Sequence, residues 1–134
     1  MNLVEAKAKT LDAQAQVAAH VPDDQVASSR VNDTSSVLLP CDGGYYWPGH
    51  TSMSISGDLD TDELLSKVKA DWETKIGWSV SEDTSVDGLR RLDLLDSDGT
   101  QLFVMFVDGG RTLDIASFSA CFDFEGEPEY GVQY

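Results

Sequence analysis

Residues 77–122, GWSVSEDTSVDGLRRLDLLDSDGTQLFVMFVDGGRTLDIASFSACF, carry the pattern that decides the fold. Three turn signals interrupt this stretch at roughly strand-length intervals: Asp87-Gly88, Asp98-Gly99 and Asp108-Gly109-Gly110. Tight hairpins need φ > 0, which Gly adopts freely and Asp tolerates. The segments around these turns, 78–83, 89–96, 101–107 and 112–120, are of strand length and rich in β-branched, aromatic or alternating residues. Four strand signals in register with three hairpin signals predict an antiparallel meander.

The chain that precedes the meander supplies its cover. Residues 3–19 predict a first helix, with Val4, Ala8, Leu11, Ala15 and Ala18 spaced to share one face. Glu5, Lys9, Asp12 and Gln16 fall on the other face, and Val21-Pro22 ends the helix, because the residue before Pro avoids the α region. Residues 23–36 are polar and predict a loop or a weak edge strand, after which Val37, Leu38 and Leu39 lead back into the core. Residues 41–49 read as an irregular aromatic loop, and 51–57 as a fifth strand with Met53 and Ile55 pointing inward.

A second helix starts at Asp60, an N-cap with Glu63 three residues on and Asp62 at the positive end of the dipole. Its expected apolar face is Leu64, Leu65, Val68, Trp72 and Ile76, and Gly77 stands in position to stop it. The predicted architecture is therefore α+β: one domain, residues 1–134, with an antiparallel sheet of about five strands and both helices packed on it. One strand complicates a one-sided sheet. In 101–107 both alternating sets are apolar, Leu102, Val104 and Phe106 on one side and Phe103, Met105 and Val107 on the other. Such a strand calls for cover on both faces, from core, a dimer partner or a ligand. The tail, 124–134, is acidic and broken by Pro and Gly, and reads as a docked extension or a frayed end.

Charge narrows the function classes. With 24 acidic residues against 9 Lys and Arg, the 134-residue chain carries a formal net charge of −15. That surface repels phosphate backbones and anionic lipid, which excludes nucleic-acid and membrane-surface binding as leading readings. No apolar run is long enough for a membrane-spanning helix, and Met1 leads into Glu5, Lys7 and Lys9 without the apolar core of a signal peptide.

Catalytic and cofactor patterns fail one by one. Asp58, Asp60 and Asp62 start like an EF-hand loop, but its sixth and twelfth positions hold Glu63 and Lys69 instead of Gly and Glu. His20 and His50 lie in neither a CxxC nor an HExxH context, there is no GxSxG elbow, and Asp42-Gly43-Gly44 lacks the Lys of a phosphate loop. No cofactor, metal site or enzymatic reaction is therefore predicted. The recognition candidates are Tyr45, Tyr46 and Trp47, with His50 beside them, because Tyr and Trp combine flat apolar area with hydrogen-bonding tips. The competing reading makes the same aromatics a structural plug over the sheet end. Cys41 and Cys121 are either a disulfide, which would close a loop of about 80 residues, or two buried thiols.

At Leu38-Leu39-Pro40-Cys41, at Tyr46-Trp47-Pro48-Gly49-His50-Thr51 and at Ser117-Phe118-Ser119-Ala120-Cys121-Phe122, the chain resembles the mature part of small cell-envelope lipoproteins of actinobacteria. The resemblance covers most of the chain, and its motifs are structural. It implies export, a Cys41–Cys121 bridge and a membrane tether only through a lipidated Cys upstream of Met1; the lipobox itself is not in this sequence. The function it implies is that of a non-enzymatic envelope domain binding a small ligand or a protein partner. The alternative drawn from charge is a cytoplasmic acidic inhibitor or immunity-type protein that neutralises a basic enzyme.

The turn assignment is testable directly. Gly99→Val forces a β-branched residue into φ > 0 and should destabilise the domain by about 1–2 kcal/mol, seen as a lower urea midpoint. A wild-type midpoint would remove Asp98-Gly99 as a hairpin turn.

Overall fold

The computed structural model describes all residues, Met1–Tyr134. In chain order they form α1 (Leu3–Ala18), β1 (Val26–Asn32), β2 (Leu39–Cys41), β3 (Gly44–Tyr46), β4 (Pro48–Ile55), α2 (Thr61–Glu73), β5 (Trp78–Thr84), β6 (Arg90–Asp96), β7 (Gln101–Val107) and β8 (Thr112–Phe118). The four-strand meander is β5 to β8, paired antiparallel in sequence order. β4 joins it on β8 and β1 joins on β4, giving a six-stranded antiparallel sheet in the order β1-β4-β8-β7-β6-β5. The fold is α+β, as the sequence predicts, with one strand more than the five expected. The extra strand is β1, within the polar stretch whose alternative reading was a weak edge strand. β2 and β3 form a separate small hairpin where an irregular loop was expected.

Both helices lie on the same face. Ala13 and Val17 of α1 share one core with Leu64, Leu65, Val68 and Trp72 of α2. Under them sit the alternate sheet residues Met53, Leu92, Leu94, Leu102, Val104, Phe106, Leu113 and Ile115. Period-two burial along β7 and β8 follows directly from this one-sided cover. The apolar face that α2 buries is the expected one as far as Trp72. Ile76 is a correction: the helix ends at Glu73, and Ile76 lies fully exposed in the turn to β5.

The orientation of α1 is a larger correction. Its buried residues are Ala6, Thr10, Ala13, Gln14 and Val17. The predicted face is turned away: Val4, Ala8 and Ala15 are exposed, and Leu11 and Ala18 only half-buried. Three influences outweigh the slight apolar excess of that stripe. Thr10 can enter the core because its hydroxyl donates to the Ala6 carbonyl at 2.8 Å. The small Ala6 and Ala13 allow close approach to the sheet. Lys9, assigned to the solvent side, donates to both Asp96 and Asp98 at the β6–β7 turn and fixes the helix rotation. Burial alone would lower the Lys9 pKa, but the hydrogen bonds to Asp96 and Asp98 outweigh it and hold the ammonium above its ordinary value.

A second, smaller core closes the other end of the molecule. Ala6, Leu38, Trp47 and Phe122 pack together there, with Tyr45, Phe124 and Tyr134 against them. Cys41 and Cys121 are bonded beside it, with Cα atoms 6.1 Å apart and 80 residues of separation. The β2–β3 hairpin meets the end of the chain through paired backbone hydrogen bonds between Tyr45 and Phe122, at 3.1 and 2.9 Å. Gly44 permits this approach, because a Cβ there would lie 2.0 Å from the Phe122 carbonyl oxygen. The tail is docked at its last residue, where Ser35 and Tyr134 exchange backbone hydrogen bonds of 2.8 Å.

Constraint of an 80-residue loop is worth roughly 4–5 kcal/mol in the chain-entropy model. Reduction and alkylation should therefore lower the thermal midpoint markedly, and intact mass should show no alkylation before reduction. An unchanged midpoint would deny the bridge its stabilising role.

Candidate functional site

The four residues singled out for recognition come from one continuous stretch, yet the fold sends them to different places. Trp47 is 0% exposed. Its indole Nε1 donates to the Tyr134 carbonyl at 3.1 Å, its backbone N–H to Ser119 Oγ at 2.8 Å, and its carbonyl accepts from the Ser119 N–H at 2.9 Å. This is the plug arrangement, and Trp47 offers no surface to a ligand. Tyr45 belongs to the same small core and meets Phe124 edge-on with ring centroids 5.5 Å apart.

Tyr46 and His50 point elsewhere. Tyr46 lines a depression of about 370 Å³ together with Leu39, Pro40, Gly99, Gln101 and Phe118. His50 lies on the face of the sheet opposite the helices, where its Nε2 is 2.5 Å from Asp114 Oδ1. Register places the residues of that outer face in rows. One row runs Asn32, His50, Ala116, Phe103, Asp93, Ser81, and the next runs Arg30, Ser52, Asp114, Met105, Arg91, Asp83.

Neither helix covers these rows, so the second apolar set of β7 stands at the surface. Phe103 and Phe118 pack edge to face, centroids 6.1 Å apart at 81°. The Arg91 guanidinium lies 5.0 Å from the Phe103 ring centroid and is held there by Asp93, which accepts from Nε at 2.7 Å and Nη2 at 3.0 Å. Those bonds to Asp93 outweigh desolvation and raise the Arg91 pKa. The result is a half-buried aromatic ridge, Tyr46–Phe118–Phe103, flanked by Met105 and Val107 and bounded by paired charges. Such a surface can stack a flat or apolar group and hydrogen-bond its rim.

Sequence patterning exposed half of this site. The alternation in 101–107 carried Phe103 and Met105, and Tyr46 and His50 stood in the aromatic stretch. Phe118 and Arg91 lacked a signal of their own: only the register of β6, β7 and β8 brings them beside Phe103. No group of three or more His, Cys, Asp or Glu side chains converges as a metal site would require.

Fold and surface together define a disulfide-stapled α+β domain with one closed and one open sheet face. By sequence, no family model and no curated protein matches the chain. By structure, the chain resembles a DUF4853 family protein from Actinomyces odontolyticus ATCC 17982, known from a crystal structure. The two share 18% identity and a TM-score of 0.57, over 96% of this chain and 73% of the other. The likeness is one of fold, to a protein from an actinobacterium.

Trp47→Ala should cost about 3–5 kcal/mol, as deletion of a buried Trp does. Tyr46→Ala and Phe118→Ala, on the open face, should each cost less than about 1 kcal/mol. Urea unfolding of the three variants separates the plug from the surface, and equal losses would contradict the division.

Proposed function

We propose that this chain is a non-enzymatic, extracytoplasmic binding domain of the cell envelope, and that its open sheet face holds a ligand or protein partner. The observation that carries this reading is the aromatic ridge, Phe103 with Phe118 and Tyr46, at the surface of a chain that is otherwise densely acidic. Leaving a central strand apolar on both faces and covering one is costly for solubility, and large exposed apolar patches mark interaction sites. The Cys41–Cys121 bond supports residence in an oxidising compartment. No helix of the chain is long and apolar enough to cross a membrane.

A second reading, an acidic inhibitor of a basic enzyme, is favoured by the net charge of −15. The two differ in salt response, because attraction between exposed charges is screened and apolar burial is not. Site-specific photo-crosslinking in cells that carry the protein tests the proposal. A photoreactive residue at Phe118 or Phe103 should trap a discrete adduct that survives raised salt, while one at Glu73, on the helix side, should not. Adducts of equal yield from all three positions, or from none, would sink it, and an adduct that disappears with salt would support the inhibitor.

A further inference from the structure

The sheet has two edges, and they are finished differently. β5 carries Glu82 and Asp83 within the strand, and its Trp78 and Val80 pack against the core. β1 pairs only with β4, and its other edge is open over seven residues, VASSRVN, with Arg30 the single charge. Charges, prolines, short length and β-bulges are the usual protections of an edge strand, and past a register irregularity between Val26 and Ser28, β1 has little of any. Beneath it lies a groove of about 550 Å³, within the range of ligand sites.

That cavity is where the outward-turned stripe of α1 reappears. Leu11, Ala15 and Ala18 form one wall, and Val31 and Met53 form the floor. Val31 points toward the helix side of the sheet, in register with Thr51, yet is 52% exposed because α1 covers β4 and β8 and stops short of β1. Thr51 also lines the cavity; it is 3% exposed, and its hydroxyl has no hydrogen-bond partner in the chain.

We propose that the open edge of β1 and the groove beneath it form a binding site, separate from the aromatic ridge, for an extended cationic peptide segment of a partner protein. The segment adds to the sheet as a seventh strand. Its backbone pairs with β1, and alternate apolar side chains enter the groove beside Leu11, Ala15 and Met53. Charge selects this occupant over a second copy of the chain. Two chains of −15 repel each other, whereas a basic segment is drawn by that net negative field. Asp23 at the groove and Asp33 just beyond β1 contribute to the field, and Arg30, on the outward side of β1, subtracts from it.

The probe is a blocked peptide of alternating valine and lysine that spans β1, with a valine–glutamate peptide as its counterpart. The lysine peptide should bind saturably, weaken with salt and protect the amides of 26–32 from hydrogen exchange. Ala15→Trp, made at an exposed helix position so that the fold is kept, fills the groove and should weaken binding at least about tenfold. Phe118→Ala, on the opposite face, should leave it unchanged, so this site and the ridge can fail independently. The inference is overturned if the lysine peptide fails to bind at millimolar concentration or the glutamate peptide binds as well. It is also overturned if Ala15→Trp has no effect, or if sedimentation shows a dimer whose 26–32 amides are protected without peptide.

Discussion

A six-stranded sheet has two faces, and this chain supplies only enough helix to close one of them. α1 and α2, of 16 and 13 residues, lie on the same face. From that constraint comes the alternating burial of β7 and β8. It also explains the fully buried Leu92, Leu94, Leu102, Leu113 and Ile115, and the apolar side chains left standing opposite them. Even the closed face is closed incompletely. The helices cover the sheet from β4 through to β5, and the sixth strand, β1, projects past α1. Both surfaces described above, the aromatic ridge and the edge groove, are the remainder of that shortfall.

The underside of α1 shows how the cover is attached. Its buried face is built of small and polar residues, and the Gln14 amide, 1% exposed, has no partner within the chain. A buried polar group left unpaired weakens a seat that small side chains already make shallow. The ion pairs of Lys9 with Asp96 and Asp98 compensate at the β6–β7 turn. The Asp98 carboxyl is held below its ordinary range: burial would raise its pKa, but bonds from Lys9 and Thr100 prevail. Its contribution is thus present above the unfolded carboxylate value and fades as pH falls through the depressed one. The raised Lys9 sets the opposite limit, fading as pH climbs past the lysine range.

How much of this was legible depended on how local the signal was. The hairpin turns and the cap of α2 depend on neighbours in sequence, and each was readable: Asp60 Oδ1 accepts from the Glu63 N–H at 3.0 Å as its position suggests. The rotation of α1 was not, because Lys9 finds its partners 87 and 89 residues away and nothing in 3–19 announces them. Residues 26–32 give no clear strand signal because their side chains are nearly all exposed, which erases the alternation that marks a strand. The stretch from Tyr45 to His50 forms a unit in sequence, but period two and distant contacts divide it in the fold. Ser119 and Tyr134 claim Trp47, while Tyr46 lines a depression together with Phe118.

The pairing of β4 with β8 has a kinetic meaning. β5 to β8 contact their neighbours in sequence across short turns, whereas residues 48–55 must find 112–118 across the whole of α2 and the meander. Closing a long loop is entropically more demanding than closing a hairpin, so nucleation belongs to the meander, and β4 and β1 add to a sheet already formed. Cys41 and Cys121 span this same long-range seam. Once oxidised, they hold the late strands near their dock throughout the search. The order reverses in local opening: β1, paired on one side and thinly covered, is the strand that leaves first and returns last.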